Sequence, residues 1–175
     1  MDFLVVSDTH GARHNIRRML QQINFRPSAV LFLGDGVRDL SVLEEHPLTA
    51  GVSVYAVAGN CDVWSFSPVD APEVRIEVLG GRRVVLMHGH TFGVKSGLGA
   101  AIRYAAQAEA DVLLFGHTHT PMEQTLSTVA EDEALVLKKP LLIANPGSLA
   151  CGASTSFGVL SVQGDNVLFS HGRVE

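Results

Sequence analysis

The sequence is poor in cysteine and in long apolar runs, and it has no excess of basic residues. Its only two cysteines among 175 residues are Cys61 and Cys151, so a disulfide framework is excluded as the basis of its stability. No apolar run approaches the ~20 residues that a membrane-spanning helix needs. The formal net charge of −5 gives no support for non-specific binding to nucleic acids. We therefore expect neither a membrane nor a nucleic acid as a partner.

The remaining composition is typical of a globular protein. Hydrophobic residues make up 46% of the chain, more than disordered chains contain. A length of 175 residues suits one domain, and we interpret residues 1–175 as a single domain. Met1 and Asp2 lead directly into an apolar run, so we expect no signal peptide. Because free thiols also fit a reducing compartment, we expect a cytoplasmic location.

Five short apolar runs each end at residue types that ligate metals. In chain order these residues are Asp8 and His10, Asp35, Asn60, His88, and finally His117 and His119. Buried parallel strands have continuous apolar sequences, and ligands of such sheets gather beyond the carboxyl ends of the strands. The mixture of oxygen and nitrogen donors suits two divalent ions. The pattern therefore predicts a metal-dependent hydrolase.

The spacing of these residues indicates how two ions could share ligands. Asp8 and His10 flank one residue in an expected tight turn, so both side chains can reach the same ion. Asp35 follows a glycine, and a carboxylate has enough lone pairs to bridge two ions. Two ions that share a carboxylate can hold a hydroxide between them and bind a phosphoryl group during in-line displacement.

The periodicity of apolar residues predicts parallel crossovers early in the chain and antiparallel hairpins late. Residues 16, 19, 20 and 23 give a first helix one apolar face, and a weaker helix is expected over Val37–Glu45. A hairpin turns at Gly80 and Gly81, and a further helix is expected over 98–109. Later strands are expected over 122–129, 135–137, 141–144, 157–162 and 167–170. This order predicts two sheets packed face to face with helices outside.

Taken in order, the motifs resemble those of the calcineurin-like metallophosphoesterases over nearly the whole chain. The matching blocks are Asp8-x-His10, Gly34-Asp35, Gly59-Asn60-x-Asp62, His88 and Gly116-His117-x-His119. Within that superfamily the chain is most similar to the small prokaryotic single-domain phosphodiesterases of the YfcE type. This further likeness lies in Gly59-Asn-Cys-Asp62, His88-Gly-His90, Gly93-Val-Lys95 and Asn145-Pro-Gly-Ser148.

The resemblance implies a fold, a ligand set and a reaction. The fold would be a four-layer αββα sandwich of two mixed β-sheets. One divalent ion would be held by Asp8, His10, Asp35 and His119, and the second by Asp35, Asn60, His88 and His117. We expect manganese first, with nickel, iron or zinc as alternatives that suit the same donors. The reaction implied is hydrolysis of small phosphodiesters.

The candidates for a catalytic role are Asn60, Cys61, Asp62 and His90. Cys61 occupies a position at which many superfamily members carry a histidine that protonates the leaving group. A thiol is a poorer acid than imidazolium near neutral pH, so we expect substrates with good leaving groups. Two roles stay open for Cys61, proton donation or packing in a buried position. Asp62 could orient a neighbouring group or a water, and His90 could contact substrate or pack in its loop.

Several alternatives stay open at the level of sequence. A phosphomonoesterase of the same fold is one of them. Another is a non-catalytic scaffold like the retromer subunit of vacuolar sorting, which resembles this family but has lost part of the ligand set.

Trp64 and Phe66 could line a substrate cleft or a homo-oligomer contact. Asp39 is interpreted as a solvated or capping residue, and Asn145 as part of a turn or a supporting donor beside the metals. Metallo-β-lactamase and zincin motifs are absent from the sequence.

Overall fold

The computed structural model describes residues 1–62, 69–127, 137–150, 152 and 154–175. Trp64, Phe66 and Cys151 lie outside the described residues, as do the end of the predicted strand 122–129 and most of the strand 135–137. Within the described parts, no helix is both long enough and apolar enough to cross a membrane.

The described elements alternate between strand and helix at first and are mostly strands afterwards. In chain order they are β1 (Asp2–Val6), α1 (Arg13–Gln22), β2 (Ala29–Phe32), a 3-10 helix (Val37–Glu45), β3 (Val54–Ala56), β4 (Val74–Leu79), β5 (Arg82–Met87), α2 (Gly99–Gln107), β6 (Val112–Phe115), β7 (Met122–Leu126), β8 (Leu141–Asn145), β9 (Ser156–Gln163) and β10 (Asn166–Arg173).

The described strands form two mixed sheets of five strands each, in the orders β10-β9-β1-β2-β3 and β4-β5-β6-β8-β7. The centre of each sheet is parallel: β1, β2 and β3 in the first sheet, and β5, β6 and β8 in the second. Antiparallel partners complete the edges. The early parallel crossovers and the late antiparallel hairpins are those that the sequence predicts, whereas β5, β6 and β8 add parallel pairing in the second half of the chain.

Successive side chains along each strand point to opposite faces of its sheet. The buried apolar residues therefore form three clusters, one between the sheets and one on the outer face of each sheet. Phe3 and Val5 of β1 pack between the sheets against Leu86 and Leu114 of the second sheet. The opposite face of the first sheet packs against α1 and the 3-10 helix, and the opposite face of the second sheet packs against α2. The expected four-layer sandwich of two mixed β-sheets is therefore confirmed.

Most predicted elements are found with small changes at their ends. The apolar face of α1 is buried as predicted, and Ile23 lies just beyond the end of the helix. The helix predicted over Val37–Glu45 has those bounds but is a 3-10 helix. The predicted 98–109 helix ends earlier, at Gln107, and Glu109 adopts a positive φ of 52° that stops it. The hairpin at Gly80 and Gly81 joins β4 to β5 as expected.

Candidate metal centre

The predicted ligands meet where the carboxyl ends of the parallel strands of both sheets converge. Short contacts hold the two sets of loops together across the sandwich. His88 Nδ1, after β5, lies 2.7 Å from the carbonyl oxygen of Leu33, after β2. The N–H of His117, after β6, donates to Asp8 Oδ2, after β1, at 3.0 Å. The five strand ends thus form one site rather than two separate edges.

One group of ligand atoms is formed by Asp8, His10 and His119, all within 4.8 Å of one another. Asp8 Oδ1 lies 3.1 Å from His119 Nε2 and 3.7 Å from His10 Nε2. The two imidazole nitrogens are 3.4 Å apart. This group is open to solvent, because the His10 and His119 side chains are 32% and 45% exposed.

A second group is formed by Asp35, His88 and His117 and is more deeply placed. His88 Nε2 lies 3.5 Å from Asp35 Oδ2 and 3.1 Å from His117 Nδ1. Asn60 adds its amide oxygen at 3.2 Å from the same His88 nitrogen. The His88 side chain is fully buried, so this group is shielded on the side of the protein core.

Asp35 lies between the two groups. Its Oδ2 is 3.7 Å from His10 Nε2 in the first group and 3.5 Å from His88 Nε2 in the second. Its Oδ1 accepts the N–H of Cys61 at 2.7 Å. Burial raises the pKa of Asp35, but hydrogen bonds from His88 and from the Cys61 N–H outweigh it, so the pKa lies well below its usual range. The carboxylate is therefore ionised and placed as a bridging ligand would be.

The pKa values of the two histidines in the second group shift in opposite directions. Burial lowers the pKa of His88, but the carboxylates of Asp35 and Asp8 raise it further, so the net shift is upward. Burial and the nearby positive charges of His88 and Lys95 lower the pKa of His117. His117 is thus the more readily available as a neutral donor.

The backbone at these ligands is unusual. Five of the predicted ligands have positive φ in the left-handed region, which non-glycine residues rarely adopt. They are Asp8 (53°), His10 (45°), Asp35 (59°), His117 (66°) and His119 (60°). Such strain persists only where surrounding contacts impose it, and it is concentrated here in the loops that carry the candidate ligands.

Asp8 provides the test of whether a metal fits the site. Its Oδ2 accepts hydrogen bonds from Ser7 Oγ at 2.5 Å and from the His117 N–H. Its Oδ1 is buried yet accepts no hydrogen bond from the described residues, an arrangement that costs free energy unless a cation is bound. Two ligands of one ion at about 2.1 Å each lie roughly 3.0–3.5 Å apart, as the His119 contact does. The residues present fit a bound divalent cation.

The remaining catalytic candidates occupy different surroundings. Both carboxylate oxygens of Asp62 accept backbone N–H groups, so its side chain supports loops and does not point to the ligands. Cys61 is exposed, which is a correction to the interpretation of Cys61 as a buried packing residue. Partial desolvation of the sulfur and the neighbouring Asp35 carboxylate raise the pKa of its thiol. His90 lies beside His88, with ring centroids 5.3 Å apart, and its buried Nδ1 has no hydrogen-bond partner among the described residues.

Sequence reasoning identified only some of the residues that support the site. Asp39 is buried and accepts hydrogen bonds from Thr9 and Gly11 on either side of His10, so it is not a solvated residue. Ser148 Oγ donates to the carbonyl oxygen of Asp8 at 2.9 Å. Asn145 Nδ2 donates to the Gly116 carbonyl at 2.8 Å and to Thr118 Oγ1 at 3.1 Å, which fits a supporting donor. Its Oδ1 accepts the N–H of Gly147 at 2.8 Å, which fits the turn, so both interpretations of Asn145 hold. The other contacts join segments far apart in the chain, so no local signal marks them.

Comparison with known families agrees with this geometry. The model of the calcineurin-like phosphoesterase superfamily domain matches residues 1–166. The chain belongs to the calcineurin-like phosphoesterase superfamily. The motif resemblance seen in the sequence is therefore confirmed, and the ligand groups lie within the matched region.

Two sequence relatives and one solved structure show what the chain is similar to. The probable metallophosphoesterase YsnB of Bacillus subtilis is 29% identical over 169 residues, which cover 94% of this chain and 86% of YsnB. The phosphodiesterase YfcE of Escherichia coli K12 is 30% identical over 182 aligned positions, covering 91% of this chain and 87% of YfcE. The solved structure of Vacuolar Protein Sorting 29 from Cryptosporidium parvum superposes with a TM-score of 0.68 at 23% identity, covering 98% and 97% of the two chains. At that identity the last comparison shows a shared fold alone.

Proposed function

We propose that this chain is a divalent-metal-dependent phosphoesterase that hydrolyses small phosphodiesters. The observation that supports the proposal most directly is the pair of ligand groups, Asp8-His10-His119 and Asp35-His88-His117, with the Asp35 carboxylate between them. Asn60 completes the second group. The proposal treats residues 1–175 as one catalytic domain and includes a cytoplasmic location, because the exposed thiol of Cys61 suits a reducing compartment.

Two divalent ions held by these residues would supply Lewis-acid stabilisation of a phosphoryl group and activation of a water nucleophile. The protein's own contribution is to hold the ligands. Among the candidate ligands, Asp8 and Asp35 provide two buried carboxylates, and the imidazoles provide nitrogen donors. Manganese is our first choice, and nickel, iron or zinc also suit oxygen and imidazole ligands.

A small substrate is favoured by the shape of the surface beside the ligands. A groove of about 280 Å³ borders His10, Asp35 and Cys61 and continues over Gly36 and Arg38. That volume can accommodate a small phosphoester. The relative YfcE is named a phosphodiesterase, and an exposed cysteine in place of an imidazole donor favours esters with good leaving groups.

Hydrolysis of bis(p-nitrophenyl) phosphate and of p-nitrophenyl phosphate tests the proposal directly. Metal content is measured first by plasma emission spectrometry on the natively purified protein. We expect chelation to abolish hydrolysis, Mn²⁺ to restore it, and the diester to react faster than the monoester. A preference for the monoester would replace the diesterase assignment with a phosphomonoesterase.

The scaffold alternative rests on the fold shared with Vacuolar Protein Sorting 29. It is the weaker candidate, because every position of the expected ligand set carries a competent residue here. A protein that binds no divalent ion and hydrolyses neither ester would favour the scaffold. If either ester is hydrolysed instead, a screen of phosphorylated metabolites would identify the natural substrate class.

A further inference from the structure

The two ligand groups differ in how firmly the structure holds them. His88 is fully buried, and its Nδ1 lies 2.7 Å from the carbonyl oxygen of Leu33, so one ring nitrogen is held by the backbone of another loop. His10 is 32% exposed, and its ring nitrogen contacts the side chains of other candidate ligands, Asp8, Asp35 and His119. The position of His10 therefore depends on the loop that carries it, which joins β1 to α1.

Asp39 holds that loop from the 3-10 helix. Its Oδ2 accepts the hydroxyl of Thr9 at 2.6 Å and the N–H of Gly11 at 2.9 Å, which are the neighbours of His10 on either side. Its Oδ1 accepts a hydrogen bond of 3.1 Å from the Nε–H of Arg13, which lies at the start of α1. Only 4% of the Asp39 surface is exposed, so the carboxylate end of these bonds is shielded from water, and charge-assisted bonds are among the stronger ones available.

The packing around this carboxylate is close. A Cβ added at Gly36 would lie 1.8 Å from Thr9 Oγ1 and 2.9 Å from Asp39 Oδ2, so only glycine lets the helix approach the loop. The loop itself holds His10 at a φ of 45°, a conformation that relaxes unless neighbouring contacts impose it. Asp39 supplies those contacts on both sides of the strained residue.

We propose that Asp39 is a positioning residue that holds His10 in place for the more exposed of two metal ions. This inference rests on the proposed two-metal function. Loss of the Asp39 carboxylate frees the Thr9 hydroxyl and the Gly11 N–H, and the loop between β1 and α1 relaxes. The second ligand group is held by contacts that do not involve Asp39, so the affinity of its ion stays the same.

The experiment is calorimetric titration of the metal-free protein with Mn²⁺, compared between wild type, Asp39→Ala and Asp39→Asn. We expect Asp39→Ala to keep one ion at wild-type affinity and to bind the other about 10–100-fold more weakly, the usual effect of removing a residue that orients a metal ligand. Asp39→Asn retains an acceptor oxygen for Thr9 and Gly11 and should recover most of the affinity.

Asp111→Asn is the matched control. Asp111 also accepts a backbone N–H, that of Arg83 at 2.8 Å, and pairs with a cation, Lys139 at 2.8 Å. It precedes β6, at the opposite end of that strand from His117. We expect Asp111→Asn to lower the melting temperature and to leave both Mn²⁺ affinities unchanged, which separates positioning from general loss of stability.

If Asp39→Ala does not fold, Thr9→Val is the substitute, because it removes only one hydroxyl from the same contact. We expect Thr9→Val to lower the affinity for the same ion several-fold. Equal weakening of both ions, or unchanged binding of both, would overturn the role of Asp39 while leaving the proposed function intact. A wild-type protein that binds fewer than two ions would overturn the two-metal function itself, and this inference with it.

Discussion

The carboxylate of Asp62 fixes the backbone of Asp35. Asp62 Oδ2 accepts the N–H of Asp35 at 2.7 Å and that of Gly59 at 2.9 Å. Its Oδ1 accepts the N–H groups of Gly36 at 2.9 Å and of Val37 at 3.1 Å. A single buried side chain therefore satisfies four donors and joins the loops that follow β2 and β3, so that the candidate bridging carboxylate is held in its strained conformation.

The first prediction concerns this support. In Asp62→Asn, an NH₂ group would replace one carboxylate oxygen. This NH₂ group would face two backbone N–H groups, so those donors would lose their acceptor. Because buried donors without acceptors are costly, we expect the free energy of unfolding to fall by about 2–4 kcal/mol. Urea denaturation of the metal-free protein measures the change. Asp70→Asn is the control, since Asp70 is 86% exposed and paired with Arg75 at the surface, and should change stability by less than about 1 kcal/mol. Unchanged stability with lost turnover would assign Asp62 a chemical role instead.

The second prediction tests the bridging position of Asp35. Asp35→Asn replaces a shared carboxylate with a neutral amide, so we expect Mn²⁺ stoichiometry to fall below two and turnover to fall by more than about 100-fold. Metal analysis after gel filtration and hydrolysis of bis(p-nitrophenyl) phosphate measure both quantities. Glu45→Gln changes an exposed acid paired with Arg17 and should alter neither. Two tightly bound ions in Asp35→Asn would contradict the bridging role.

The third prediction concerns Cys61. Its thiol is exposed, and an ordinary thiol is a reluctant proton donor at pH 7. We expect Cys61→Ala to lower kcat by less than about tenfold and by the same factor for a nitrophenyl diester and for an alkyl diester with a poorer leaving group. A loss of roughly 100-fold confined to the alkyl ester would show instead that the thiol protonates the leaving group. Cys61→His is the complementary variant, since imidazole supplies a better acid.

The fourth prediction is a pH dependence of stability at the far end of β6. Burial raises the pKa of Asp111, but Lys139, the Arg83 N–H and Arg82 lower it further, so its pKa in the folded protein lies below the ordinary value. Asp111 therefore stabilises the fold above the pKa that it has in the unfolded chain, and this contribution disappears as the pH falls through the lower folded value.

Urea denaturation of wild type and Asp111→Asn at several pH values measures this contribution. At pH 7 we expect wild type to be more stable by about 1–3 kcal/mol, since the carboxylate accepts charge-assisted hydrogen bonds. The difference should shrink steadily below about pH 4, where unfolded Asp111 is protonated. A difference that stays constant between pH 7 and pH 3 would contradict the proposed cause.

The amino-acid sequence by itself determined the strands and the residue types at their ends. Continuous apolar runs before Asp8, Asp35 and His88 predict buried parallel strands, because each strand of such a sheet is covered on both faces. Parallel strands bring their carboxyl ends to one edge, so the convergence of these side chains could be predicted without coordinates. The order of the motifs, which local sequence carries completely, was sufficient to indicate the superfamily.

Only the tertiary structure decided what supports these side chains and which backbone conformations present them. His117 and His119 are two residues apart and lie in different ligand groups, as the resemblance implied, and both have left-handed backbone conformations that sequence spacing does not reveal. The supporting carboxylates of Asp39 and Asp62 bind loops about 25 to 30 positions away in the chain. Such contacts depend on how two sheets and a 3-10 helix pack together, and a buried hydrogen-bonded carboxylate has the same local sequence signature as a solvated one.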